Sequence, residues 1–84
     1  MLQIIKINSD AVRWYLNGKK HRTNGPTVAY SDGHNYWYKK GLKHRTDGPA
    51  TTYSDGTKFW YLNNRKLSEE DYLKEIANRF EKYK

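Results

Sequence analysis

The chain of 84 residues has no cysteine, so neither a disulfide framework nor a thiolate zinc site is open to it. That absence fits a reducing compartment, and a cytoplasmic location is the expectation. No apolar run approaches the roughly 18 to 20 residues that cross a bilayer. The opening Met1-Leu2-Gln3-Ile4-Ile5-Lys6 is too short for a signal peptide, which leads to the expectation of an unexported protein without a membrane span. Paired carboxylates, a Gly-rich phosphate loop and a G-x-S-x-G elbow are all missing, and His21, His34 and His44 lack zinc-like spacing. A domain this short also buries only about 60% of the surface its unfolded chain exposes, which leaves little room for a catalytic pocket. The expectation is therefore a protein that is not an enzyme and has no cofactor and no metal.

Acidic residues are scarce, nine against sixteen Lys and Arg, and they are unevenly placed. Residues 68–84 carry a net charge of −1, whereas residues 1–67 carry +8. The positive field belongs to the first part and favours acidic partners such as nucleic acid or an acidic protein face.

That first part is a repeat. His21-Arg22-Thr23-Asn24-Gly25-Pro26 returns 23 residues later as His44-Arg45-Thr46-Asp47-Gly48-Pro49, and residues 14–36 match residues 37–59 at 13 of 23 positions. A third copy starts at Trp60-Tyr61 and stops where Leu67-Ser68 replace the His-Arg pair. Such a period signals stacked units that bury their apolar faces against one another. The chain divides accordingly within one domain, residues 1–84: an N-terminal half-repeat hairpin at 1–13, repeats at 14–36 and 37–59, a partial repeat at 60–67 and a capping helix at 68–84.

Leu2, Ile4, Ile5 and Ile7 put apolar residues on both sides of a first strand; Asn8-Ser9-Asp10 turns it into a second, 12–16. Within each repeat, 27–30 and 50–53 read as strands, and Ser-Asp-Gly turns them back into 35–38 and 58–62. The fold class is α+β, mainly β: an antiparallel sheet of repeated 23-residue hairpins, about five to six strands, followed by one C-terminal amphipathic helix. The period of two puts Trp14, Trp37 and Trp60 on one face with Leu16 and Leu62, and Tyr15, Tyr38 and Tyr61 on the other with Tyr36 and Phe59. From Ser68 the period becomes helical. Ser68 and Asp71 resemble a capping box, and Leu73, Ile76, Ala77 and Phe80, flanked by Tyr72 and Tyr83, form the apolar stripe. Its expected job is to cover a sheet face or seal the last hairpin.

Lys20, Lys43 and Lys66 are spaced by 23, so in one continuous sheet they stand roughly 10 Å apart, two strands from each other. Lys19, Lys39, Lys40 and Arg65 thicken that edge. With Arg22 and Arg45 they form a candidate nucleic-acid-binding set, and Tyr15, Tyr38 and Tyr61 are the candidate aromatic contacts on which unpaired bases stack. Edge lysines also discourage strand-to-strand aggregation, and the two roles are compatible. The His-Arg pairs have two readings: phosphate ligands, or turn builders in which imidazole bonds to backbone and Arg pairs with Asp47 or Asp55; the second is preferred.

The segments Asp55-Gly56-Thr57-Lys58-Phe59-Trp60-Tyr61-Leu62-Asn63 and His44-Arg45-Thr46-Asp47-Gly48-Pro49-Ala50, with the closing Leu67-Ser68-Glu69-Glu70, resemble a group of short-repeat proteins of phages, large viruses and bacteria. More loosely, the 23-residue period is similar to the MORN hairpin repeat, from which the chain departs in having Asn64 where a repeat glycine is expected. The resemblance implies a viral origin and, together with the repeated Lys/Arg edge, leads to the expectation of a small basic phage accessory protein in the host cytoplasm, one that binds RNA or acts with it to inhibit a host defence factor such as a toxin ribonuclease. The alternative is a protein-protein interaction module that uses the Trp and Tyr ladders, without nucleic acid. The expected partners are RNA or other nucleic acid and a host protein with an acidic or RNA-associated surface, and open sheet edges allow a homodimer.

Overall fold

The computed structural model describes residues 3–81, so the expectations for Leu2 and Tyr83, and for the Phe80 side chain, lie outside the described residues. An N-terminal hairpin, β1 (Gln3–Ile7) and β2 (Ala11–Leu16), is joined by a turn in which Asn8 Oδ1 accepts from the N–H groups of Asp10 and Ala11 at 3.1 and 2.9 Å. There follow β3 (Lys19–Lys20), β4 (Val28–Tyr30), β5 (Asn35–Tyr36), β6 (Tyr38–Lys39), β7 (Leu42–Lys43), β8 (Thr51–Thr52), β9 (Lys58–Leu62) and β10 (Arg65–Leu67), then one helix, α1 (Glu69–Glu81). All pairings are antiparallel. One sheet runs in the order β1-β2-β4-β5-β8-β9-β10 with β3 also on β2, and β6 pairs with β7. The molecule is a slab of 41 × 35 × 18 Å.

The α+β class and the terminal helix stand as expected, but there are ten short strands where about five to six were expected. The extra ones come from the long strand of each repeat serving two hairpins. In β2, residues 11–13 pair with β4, while Tyr15 and Leu16 pair with β3. In the next copy the same division breaks the strand at Trp37 into β5 and β6. The tryptophan is the hand-over point: Trp14 and Trp37 donate N–H to Thr27 O and Ala50 O at 2.9 and 2.7 Å, and each accepts from the N–H of His21 or His44 at 3.2 Å.

The return strands β3, β7 and β10 exist because of two-residue turns with positive φ at both centres: Asn17 and Gly18 (51° and 80°), Lys40 and Gly41 (52° and 85°), Asn63 and Asn64 (50° and 71°). Such turns match the twist of the flanking strands. Asn64 does occupy the left-handed position expected of a glycine, and Lys40 is held there without the side chain that suits it.

The core is thin. Ala11, Val28, Ala50, Leu62 and Tyr72 are its buried apolar residues, joined by Thr27 and Thr51. Ser68 caps α1, its Oγ accepting from Asp71 N–H at 3.1 Å, and Glu69, Glu70 and Asp71 put negative charge in the first turn. The expected stripe is rotated: Tyr72 is buried and Ile76 half-buried, whereas Leu73 is 58% exposed and Ala77 exposed. The rotation follows from Tyr72, whose hydroxyl donates to Arg45 O and accepts from Gly48 N–H at 3.4 Å. Burial raises the pKa of that phenol, keeping the donor in place. The helix thus seats on the second turn segment, packs on β9 and β10, and seals the last hairpin.

Candidate functional site

Strand register sorts the sequence-predicted residues onto two faces. Tyr15 pairs with Lys20, Tyr38 with Lys43 and Tyr61 with Lys66, and directly opposed residues share a face. Each lysine also reaches an aromatic ring: Lys20 Nζ lies 5.0 Å from the Tyr38 centroid, Lys43 Nζ 4.9 Å from Tyr61 and Lys66 Nζ 4.2 Å from Phe59. Along the sheet this makes an alternating row, Tyr15, Lys20, Tyr38, Lys43, Tyr61, Lys66. Sequence reasoning missed its first member, Lys6, which stands 5.1 Å from the Tyr15 ring. The available signal was the Asn8-Ser9-Asp10 hairpin, whose register places Ile4 and Lys6 on the Tyr15 face.

A second aromatic row lies beside the first. Tyr30, Tyr36, Tyr53 and Phe59 make successive edge-to-face contacts at 5.9, 6.4 and 5.7 Å, with His34 against Tyr53 at 5.1 Å and Arg13 over Tyr30 at 5.5 Å. Burial, with the neighbouring phenols adding to it, pushes the Tyr36 phenol above its ordinary pKa. All rings of the row are half-buried. No carboxylate pairs with Lys6, Lys20, Lys43 or Lys66 among the described residues.

The Trp face is built differently. Arg22 and Arg45 lie over Trp14 and Trp37, with Cζ 4.1 and 3.8 Å from the ring. Arg22 Nε donates to Asn24 at 3.2 Å and Arg45 Nε to Asp47 at 2.8 Å, while the two Nη1 groups donate to Pro26 O and Pro49 O at 3.2 and 3.1 Å. On its far side each guanidinium meets glycine: a Cβ on Gly25 would stand 2.6 Å from Arg22 Cζ, and one on Gly48 2.9 Å from Arg45 Cζ. These glycines are needed for space. The histidines brace the next turn, His21 Nδ1 accepting from Lys40 N–H and His44 Nδ1 from Asn63 N–H, both at 3.0 Å. The repeated segment is therefore a clamp that joins one repeat to the next.

Of the predicted set, Lys20, Lys43 and Lys66 come together with Tyr15, Tyr38 and Tyr61 on one face. Lys19, Lys39 and Arg65 fall on the Trp face by register, Lys40 is in a turn, and Arg65 pairs with Glu75 at 3.1 Å. Because Arg65 shares a face with Leu62, this pair also places α1 on the Trp side. Among the described residues, no side chain of α1 bonds to a lysine or tyrosine of the Tyr row.

Comparison with protein-family models, with curated proteins and with solved structures finds no match to this chain. Among the described residues no helix is long and apolar enough to cross a membrane, and no three His, Asp or Glu side chains are grouped to hold a metal ion.

Proposed function

We propose that this chain is a non-enzymatic binding protein whose Tyr face takes single-stranded RNA. One observation carries the reading: the row of Lys6, Tyr15, Lys20, Tyr38, Lys43, Tyr61 and Lys66 on a face without an ion-paired lysine. Bases stack on the rings, and each ammonium turns from its ring to a phosphate. Lys19, Lys39, Lys40 and Arg65 contribute a surrounding positive field, and Arg22 and Arg45 hold the fold. Through the likeness to phage short-repeat proteins, the proposal extends to an accessory protein that neutralises an RNA-linked host defence factor in the host cytoplasm, a toxin ribonuclease being the natural candidate.

The test is binding to labelled single-stranded RNA, duplex RNA and DNA across a salt series. With about four to six phosphates engaged, log K should fall with log salt at a slope of roughly −3 to −4 on single strands. Lys20→Glu with Lys43→Glu should abolish binding without loss of fold, and Tyr38→Ala should cost about 1 to 3 kcal/mol if one base stacks there. No binding near 100 mM salt, where screening is still moderate at about 10 Å, discards the proposal.

A second reading, a protein-binding module, is favoured by another surface. β1 has no strand on its outer edge among the described residues, and Ile4, Ile5 and Ile7 are 39%, 46% and 74% exposed there. Such an edge can pair with another chain, a second copy included. Ile5→Lys would then split any dimer seen by light scattering and leave RNA binding in place.

A further inference from the structure

Between the two Arg clamps the Trp face opens into a cleft of about 230 Å³, lined by Arg22, Thr23, Trp37, Lys39, His44, Arg45, Thr46 and Asp47. We propose that this cleft is a phosphate-binding site, separate from the Tyr face. Its guanidiniums are already fixed. Stacking on Trp and bonds through Nε and Nη1 set each plane, and Nη2 of both arginines has no acceptor among the described residues. A donor held in position before the ligand arrives loses little freedom on binding.

The remaining groups complete the set. Lys39 is exposed and has no ion-pair partner among the described residues. His44 accepts the Asn63 N–H at Nδ1, so its own proton sits on Nε2 as a further donor. Burial, with Lys39 and Arg79 adding repulsion, keeps the ring's pKa below the ordinary value and therefore keeps that tautomer neutral. Thr23 and Thr46 supply hydroxyls. Two fixed guanidiniums and the Lys39 ammonium against Asp47 leave an excess of two positive charges, which suits a dianionic phosphate monoester better than a carboxylate. The volume falls below the roughly 300 Å³ at which drug-sized pockets begin, so the ligand is a phosphate group and its first attached atoms. A second hollow, lined by Leu16, Asn17, Lys19, His21 and Lys40, has a histidine and two lysines but no guanidinium, and serves as an internal control.

The source of the phosphate is either a free small molecule or the end of a nucleic-acid chain, and one experiment separates them. Amide spectra are recorded while inorganic phosphate replaces chloride at constant ionic strength. Saturable shifts are expected at Thr23, Lys39 and Thr46 and not at Asn17 or Lys19, and Lys39→Met should weaken them about tenfold, the worth of one charge-assisted bond. The Lys39 side chain makes no hydrogen bond or ion pair among the described residues, and a thermal melt verifies that this variant remains folded. A second arm compares an oligoribonucleotide bearing a 5′-phosphate with the same strand ending in 5′-hydroxyl. Preference for the phosphorylated end that Lys39→Met removes assigns the site to chain ends; saturation by inorganic phosphate without end preference assigns it to small phosphates. The site is overturned if no shifts saturate, if Lys39→Met shifts as the parent does, or if the shifts spread to Lys20 and Lys43. Lys20→Glu with Lys43→Glu should leave the cleft titration unchanged, so failure of the Tyr-face reading and failure of this one are distinguishable.

Discussion

On the Trp face Arg22 and Arg45 lie 4.1 and 3.8 Å from their rings; on the Tyr face Lys20 and Lys43 lie 5.0 and 4.9 Å from theirs. Both faces therefore place a repeated cation on a repeated aromatic. The Arg fork, however, bonds a carbonyl and a side-chain oxygen and is backed by glycine, whereas the ammonium has, among the described residues, the ring but no carboxylate. Period and residue class are the same on the two faces, but one cation is part of the frame and the other is free to exchange partners. A repeat thus ties one cation into the frame on one side and leaves another without a carboxylate partner among the described residues on the other.

The largest effect should follow from opening a clamp. Arg45→Ala removes the stack on Trp37 and the bonds to Asp47 and Pro49, and leaves the carbonyl of Pro49 short of a donor. A loss of about 2 to 4 kcal/mol in denaturant unfolding is expected, a large share of the stability of so small a domain. Gly48→Ala attacks the same clamp from the other side. With a Cβ 2.9 Å from Arg45 Cζ, it should cost about 1 to 3 kcal/mol through overpacking. If either variant melts with the parent, the Trp face is not the frame.

The clamp also has a pH limit. The folded-state pKa of His44 lies below its ordinary 6.5, chiefly through burial, so the unfolded chain takes up a proton that the folded one resists. Stability from this group is present above about pH 6.5 and is lost as pH falls, because a protonated Nδ1 cannot accept from Asn63 N–H. Melting temperatures between about pH 7.5 and 5 should decline, and His44→Gln, which keeps an acceptor but does not titrate, should flatten the decline. A smaller gain is available at Thr51, whose buried Oγ1 has no partner; the equivalent residue of the first copy is Val28. Thr51→Val should stabilise by about 1 kcal/mol.

Much of this was legible in the sequence, for definite reasons. The 23-residue period aligned Trp14 with Trp37 and Lys20 with Lys43, and alternation placed the Trp and Tyr ladders on opposite faces. Ser68 and the acids after it marked the helix start. The return strands were not legible, because Lys19-Lys20 and Leu42-Lys43 are too short to show alternation; the one cue to them is the dipeptide Asn17-Gly18, which suits the tight turn of a hairpin. The helix face was misjudged because one hydroxyl contact, Tyr72 to Arg45, outweighed exposure of Leu73. Arg22 and Arg45 joined the binding set by charge alone. Their geometry over Trp14 and Trp37, which the preferred turn-building reading implied only in part, sets them apart from the lysine row of the Tyr face.

The smallest expected effect on stability is the one that tests the comparison most directly. Lys43→Met keeps the alkyl stem against the Tyr61 ring and deletes the charge, so unfolding should shift by no more than about 0.5 kcal/mol, the range of an exposed cation-π contact. Arg45→Lys, which keeps the charge and deletes the fork, should cost several times more. If Lys43→Met instead destabilises as much as Arg45→Ala, then the Tyr-face lysines are also part of the frame. A phosphate could then draw Lys43 from its ring only by weakening the fold, and the proposed RNA surface would lose its argument even if some binding were measured.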